Sequence, residues 1–506
     1  MNGAELAALT LSDLGVGVVF ANPGTSELVL VDALERRGPR PILVTHELVA
    51  MGAADAHGRL GRLGAALVHL GPGLSNGLAF VHDARRAHTP MLVLVGEHPR
   101  SHRALDTPLT MRIASLAEAI DVPMIAIDDP ALIAPQLRAA ATIATTQRTP
   151  VVVTLDAVAM EREATPSDPS APPTTAHEAP SIPRARLEAA IDLVRAGECT
   201  LLLGARVLEP DARALARAIA DDTGLRLLAE TFPASHRYGE GAGRIERLAY
   251  LPLMARPQLA TARSVLVLGT DAPSAWFAHL EQDPRLWPLA APLVRLDGQD
   301  EDPRVVLEHL AKALGVTPAP PPTSQPIPAP DPHAALDGST LAAVIARAVQ
   351  ADDVVIDEAR TAAPALYEQL ADARRHHYIG HPGGAIGEGA SLALGAATLG
   401  ASVLAVVADG GFLYAPQAIW TMVREHLDVT VVLAVNGGYR ILEIEQTIAG
   451  LDLHPELTRL DDPGWDFAGL AAAMGARTTT ATTVAELEAA LRDRHGVHVI
   501  VATVSQ

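Results

Sequence analysis

Cysteine is nearly absent: Cys199 stands alone among 506 residues, so no disulfide can form within the chain. A disulfide-held fold is excluded, and a reducing, cytoplasmic setting is the expectation. Aromatic residues make up only 3%, which argues against a base-stacking surface. Basic charge is scarce too. Lys and Arg number 39 against 59 Asp and Glu, for a net charge of −20, and no basic patch interrupts the excess. Such a chain repels phosphate backbones and anionic lipid, so no nucleic acid and no membrane are expected as partners. Long apolar runs are missing as well: stretches such as 401–408 and 429–435 fall far short of the roughly 20 residues a bilayer requires. Residues 1–20 lack the basic start and long apolar run of a secretory leader.

What is present is a globular composition, with 49% hydrophobic and 19% charged residues. The length suits two to four domains, each able to bury a core. Two stretches rich in Pro, Ser and Thr, 164–183 and 316–332, read as extended spacers. They divide the chain into 1–163, 184–315 and 333–506. In each piece short β-branched or Leu-rich runs alternate with Ala-rich, helix-length segments, the pattern of parallel sheets covered on both faces. The expected fold class is α/β, with three domains, each a mostly parallel sheet flanked by helices.

The most informative tract is Ala408-Asp409-Gly410-Gly411-Phe412, which leaves the apolar run 402–407; Pro416 then suits the first turn of a helix over 417–426. Free N–H groups and bare glycines at such a turn cradle phosphate. A carboxylate there makes sense if a divalent cation lies between it and the phosphate. A second apolar run, 429–435, ends in Asn436-Gly437-Gly438-Tyr439, with Asn436 27 residues after Asp409. That spacing fits a strand–turn–helix–strand unit whose two strand ends share one sheet edge. The Asp409 carboxylate, the Asn436 amide oxygen and a carbonyl near Gly438 are hard oxygen donors of the kind Mg2+ takes. Upstream, His381-Pro382-Gly383-Gly384-Ala385-Ile386-Gly387-Glu388-Gly389 matches a dinucleotide fingerprint loosely. No apolar strand is evident before it, so that reading is set aside.

In the first piece, Asn22-Pro23-Gly24-Thr25 follows the run 16–21, and Glu47 opens a small, apolar helix over 48–54. The Glu47 carboxylate is either a helix-start charge or a functional acid in a dry site. His69 ends the run 65–68 and leads into a Gly71-Pro72-Gly73 turn, at the carboxyl end of a strand, where α/β sites form.

Together these residues resemble the thiamine-diphosphate enzymes of the pyruvate decarboxylase and acetolactate synthase superfamily, over nearly the whole chain. The family's Gly-Asp-Gly…Asn motif corresponds to Ala408-Asp409-Gly410…Asn436, departing at the first glycine. The tract is most similar to benzoylformate decarboxylases and acetolactate-synthase-like large subunits, through Asn22-Pro23-Gly24-Thr25, His69 and Gly384-Ala385-Ile386-Gly387. The resemblance implies a pyrimidine-binding domain (1–163), a central domain (184–315) and a diphosphate-binding domain (333–506). It implies thiamine diphosphate and Mg2+ as cofactors, with Asp409, Asn436 and Gly438 at the metal. The cofactor contacts would be Asn22, Pro23, Gly24, Glu47, Gly384, Ile386, Asp409, Gly410, Gly411, Asn436, Gly438 and Tyr439. Glu47 would activate the cofactor, Ile386 would bend it, and the backbone near Gly384 would accept its amino group.

His69 is then the candidate proton relay and His279 a second, with His98 and His102 on a loop near the site. Thr25, His69, Ile441 and Glu445 would face the substrate. Glu445 is acidic where benzoylformate decarboxylases tend to offer an aromatic, which points to a smaller, polar or cationic substrate. The implied activity is decarboxylation of a 2-oxo acid to an aldehyde. The alternatives are a carboligase that joins the decarboxylated fragment to a second carbonyl compound, or a non-catalytic cofactor-binding homologue. Because the acid and the metal site lie in different domains, the resemblance implies a homodimer or homotetramer with shared active sites.

Overall fold

The computed structural model describes residues 1–165, 182–277, 283–298, 301–318, 320 and 323–505. The first sheet holds β1 (Val18–Asn22), β2 (Arg40–Leu43), β3 (Gly64–Val68), β4 (Met91–Glu97), β5 (Met124–Ile127) and β6 (Pro150–Asp156). Its order is β2-β1-β3-β4-β6-β5, and every pairing is parallel. Every residue of β3, β4 and β6 is buried, because helices cover both faces. The second sheet runs β11-β10-β7-β8, built from β7 (Cys199–Leu203), β8 (Arg226–Ala229), β10 (Ser264–Leu268) and β11 (Leu293–Arg295). The third holds β12 (Val354–Glu358), β13 (His376–Ile379), β14 (Val403–Ala408), β15 (Val429–Val435), β16 (Arg477–Ala481) and β17 (Val497–Thr503). Its order is β16-β17-β15-β14-β12-β13, with one further strand beyond β13.

The edge strand β9 (Ser235–Tyr238) comes from the middle segment and pairs antiparallel with β13. Nothing in Ser-His-Arg-Tyr announces a strand. What fixes it is side-chain packing: Tyr238 stacks on Tyr367 at 4.7 Å between ring centroids, and both rings are buried.

Three local expectations change. The helix opened by Glu47 runs on to Arg59, buried at nearly every position, because it lies between its own sheet and the equally buried Gly389–Thr398 helix of the third domain. Small residues make that approach possible: a Cβ on Gly395 would fall 2.2 Å from the Ala53 carbonyl oxygen. A helix covered on all sides carries no amphipathic stripe. Gly71-Pro72-Gly73 is not a separate turn but the first turn of the Leu70–Arg86 helix, where proline costs no hydrogen bond. Finally, a strand does run into the His381–Gly389 loop. It is β13, His-His-Tyr-Ile, too short and too polar to be legible, so a missing strand is no ground for setting the dinucleotide fingerprint aside. Among the described residues, no helix is long and apolar enough to cross a membrane.

Candidate active site

Ala408 pairs with Ala434 across β14 and β15, so Asp409 and Asn436 leave neighbouring strands at one sheet edge. Asp409 starts a one-turn helix, Asp409–Phe412, and the next helix, Ala418–Arg424, begins just after Pro416. The Asp409 side chain ties the two turns together. Its Oδ1 accepts from Gly410 N–H at 2.8 Å, and its Oδ2 accepts from the N–H groups of Asn436 at 3.1 Å and Gly437 at 2.8 Å. Asn436 Oδ1 accepts from Gly438 N–H at 3.2 Å. Burial pushes the Asp409 carboxyl above its ordinary range, and the backbone donors act against that shift. Tyr439 lies over Gly410, where a Cβ would come within 2.5 Å of its ring.

The loop between β13 and the Gly389–Thr398 helix carries Gly384 and Ile386. Gly384 and Gly387 have φ of +87° and +102°, conformations that favour glycine. Glu358, at the end of β12, holds this loop from below. Its Oε1 accepts from Gly387 N–H, and its Oε2 accepts from Gly389 N–H at 2.7 Å. The sequence reading missed Glu358; the available signal was an acid closing an apolar strand, as at Asp409. Glu358→Ala strands two buried N–H groups, each worth about 1–3 kcal/mol. Urea unfolding is expected to show a loss of about 2–4 kcal/mol, partly restored in Glu358→Gln. A loss under about 0.5 kcal/mol contradicts this role.

In the first domain, Asn22 ends β1, and Pro23 and Gly24 lead into the turn Thr25–Glu27. Glu27 Oε2 accepts from Gly24 N–H at 2.7 Å and lies 2.7 Å from His69 Nδ1. Burial raises the Glu27 carboxyl, with Gly24 and His69 opposing it. A Cβ on Gly24 would fall 2.4 Å from the His69 ring, so only glycine lets the two turns meet. Glu27 orients the histidine, a role the sequence reading did not assign. Glu47 is the first residue of its helix and is 9% exposed. Its Oε2 accepts from Asn76 Nδ2 at 3.2 Å.

Thr25 is exposed, while Ile441 and Glu445 are half-buried on the Arg440–Ile448 helix. Glu445 faces Tyr250 of the middle segment; burial, and then this charge, raise the Tyr250 hydroxyl to about 12. His279 lies outside the described residues. Its neighbour Trp276 packs on Phe232, 5.2 Å between ring centroids, and over Gly384. The middle segment therefore reaches the Gly384 loop. His98 and His102 face each other at 6.1 Å, and His98 Nε2 lies 3.1 Å from the Pro108 carbonyl oxygen. Within one chain the contacts of Glu47 are with the 73–77 turn and those of Asp409 with the 436–438 turn.

By its two matching domains the chain is a thiamine-dependent enzyme. The chain belongs to the thiamine pyrophosphate enzyme family, in its decarboxylase and carboligase superfamily. Residues 1–118 match the family's N-terminal TPP binding domain and residues 362–502 its C-terminal TPP binding domain. The chain is 35% identical to IlvX of Mycobacterium tuberculosis, provisionally named an acetolactate synthase large subunit, over 97% of this chain and 96% of that protein. It is 25% identical to the benzoylformate decarboxylase of Pseudomonas aeruginosa, covering 94% and 93% of the two chains. Among solved structures, the 4-hydroxybenzoylformate decarboxylase of Rhodococcus jostii superposes with a TM-score of 0.85 over both whole chains, at 21% identity. That last likeness concerns the fold.

Proposed function

We propose that the protein is a thiamine-diphosphate- and Mg2+-dependent decarboxylase that converts a 2-oxo acid to an aldehyde. The observation that carries this reading is the His69–Glu27 pair beside Gly24 and Thr25, an imidazole oriented by a buried carboxylate. Aldehyde release requires a proton delivered to carbon, and such a pair is suited to deliver it.

The Asp409 turn fits a metal-bridged diphosphate. Its donors are oxygens, its carboxylate is buried, and among the described contacts only backbone N–H groups partner it. Asp409, Asn436 and the Gly438 carbonyl would hold Mg2+, with Gly410, Gly411 and Tyr439 around the phosphates. Gly384 and Ile386 would seat and bend the rings, and Asn22, Pro23, Gly24 and Glu47 would meet the pyrimidine. When bound, thiamine diphosphate supplies a carbanion and an electron sink for the departing carboxylate. Glu47 holds and returns a proton at its carboxylate, Ile386 enforces proximity, and His69 carries the proton that completes the product. Thr25, Ile441 and Glu445 flank the substrate, with His279 a second proton carrier.

The domain roles are 1–163 for the pyrimidine, 184–315 as the central unit and 333–506 for the diphosphate. Glu47 and Asp409 lie in different domains, and on this reading the two half-sites meet between two copies, in a homodimer or homotetramer. Exposed apolar residues on both, including Leu105, Leu109, Leu442, Leu457 and Trp465, suit such an interface. A cytoplasmic setting suits the lone buried Cys199.

Kinship with an acetolactate synthase-like protein favours a second reading, carboligation. Product analysis on a panel of 2-oxo acids with thiamine diphosphate and Mg2+ decides. Carbon dioxide with aldehyde supports the proposal; acyloin or acetohydroxy acid overturns it in favour of ligation. His69→Asn and Glu27→Gln are expected to cut aldehyde formation by about 10²-fold while leaving cofactor affinity within a few-fold. Unchanged aldehyde output in both variants contradicts the relay.

A further inference from the structure

Beneath the 380–389 loop lies a buried cluster that the site above does not use. Asp55 and Arg59 come from the Glu47–Arg59 helix, Asp83 from the Leu70–Arg86 helix, and His381 and Glu388 flank the loop. Their side chains are at most 1% exposed. Each of the two acids beside the imidazole has one oxygen engaged. Asp83 Oδ1 accepts from Ala385 N–H at 3.2 Å, and Glu388 Oε2 accepts from Arg59 at 3.1 Å. The other oxygens, Asp83 Oδ2 and Glu388 Oε1, and both nitrogens of His381 have no hydrogen-bond partner among the described residues. Buried polar atoms in that state are costly, and four of them are gathered here on three side chains.

Their spacing is that of a coordination shell. His381 Nε2 lies 3.1 Å from Asp83 Oδ2, and Nδ1 lies 3.2 Å from Glu388 Oε2. These pairs are close enough for hydrogen bonds yet not aligned as such. Ligand atoms held about 2.0–2.2 Å from one ion stand about 3–4 Å from each other, their lone pairs aimed at the ion rather than at one another. One ligand atom from each of Asp83, His381 and Glu388 lies within 4.8 Å of the other two. Charge points the same way. Asp55 pairs with Arg59, and Glu358 and Arg360, which also face His381, offset each other. Asp83 and Glu388 remain, two negative charges beside a neutral imidazole in a dry site, which burial strongly opposes. One divalent cation cancels them. A nitrogen among the donors favours a transition metal over Mg2+, which takes oxygens.

We propose that Asp83, His381 and Glu388 bind a divalent transition-metal ion of the Zn2+ type, which fastens the 380–389 loop to the first domain. Asp83 gives Oδ2 to the ion while Oδ1 keeps Ala385, and Glu388 gives Oε1 while Oε2 keeps Arg59. Arg59, held by Asp55 and donating to the Gly380 carbonyl at 2.6 Å, orients the Glu388 ligand. The clip joins the two domains that carry the TPP-binding matches, and it stands whether or not the loop seats the cofactor.

Metal analysis of the full-length protein, produced with added Zn2+ or Co2+ and purified without thiamine diphosphate, tests this. About one ion per chain is expected to survive gel filtration, and the Co2+ protein should show a visible absorption band from nitrogen and oxygen ligation. Asp83→Asn and His381→Gln should each weaken Zn2+ binding by more than about 100-fold, since even an outer partner of a metal site is worth about 10–100-fold. Chelation of the unmodified protein should lower hydrogen-exchange protection over residues 380–389 by more than about tenfold, and Zn2+ should restore it. Asp409→Ala should keep the ion, which separates this site from the one proposed for Mg2+. No ion above background, an ion retained by both cluster variants, an ion lost from Asp409→Ala, or protection indifferent to chelation overturns the proposal. Should the cluster variants fail to fold, metal content and chelation of the unmodified protein still decide. None of these readouts needs the cofactor, so calorimetry of thiamine diphosphate tests the proposed function separately.

Discussion

Turnover of Glu47→Gln is expected to fall by about 10²–10⁴-fold, the range of a positioned acid–base group, with the unfolding free energy within about 0.5 kcal/mol of the parent. The structural side follows from the contacts. Glu47 accepts one hydrogen bond, from Asn76, and a glutamine carbonyl can still accept it, so the helix start and its burial survive. The chemical side follows from charge. An amide cannot hold and return a proton, so cofactor would bind without being activated. Steady-state kinetics beside calorimetric cofactor binding separate the two. Near-native turnover, or a variant that no longer folds, would contradict the assignment of Glu47 as the activating acid.

Asp409→Ala should abolish Mg2+-dependent binding of thiamine diphosphate, weakening it by more than about 100-fold, since even outer partners of a metal site are worth about 10–100-fold. The loss has two sources. One is the only carboxylate proposed for the ion. The other is the hydrogen bonds from Gly410, Asn436 and Gly437 that hold the two turns at one edge. Asp409→Asn preserves part of the second and none of the first, so a similar loss in both variants assigns the effect to charge. Titration calorimetry at fixed Mg2+ reads it directly, and unchanged affinity would remove Asp409 from the metal.

The plan of three α/β domains was legible because fully buried parallel strands leave near-continuous apolar runs: Ser264–Leu268 and Val429–Val435 stand where the sequence places them. Asp409 and Asn436 were legible for the same reason, since each follows such a run. What stayed hidden depends on contacts between distant segments. β9 and β13 are polar strands stabilised by packed tyrosines and by their mutual pairing. Glu27 and Glu358 look like ordinary acids until their partners, His69 and the Gly387 and Gly389 N–H groups, are in place. Arg59 and Asp83 reach a loop some 300 residues away in sequence, a distance no local pattern crosses.

The central claim is that the Glu47 half-site of one chain and the Asp409 half-site of another close on a single cofactor, and in-trans complementation tests it most directly. Glu47→Gln and Asp409→Ala proteins, each inactive alone, are co-expressed with distinguishable tags and the mixed species is purified. A mixed dimer keeps one intact pair, Glu47 from one subunit with Asp409 from the other, so it should regain about half the activity of the native dimer. A mixed dimer as inactive as either parent would show that the two residues do not serve a shared site between chains.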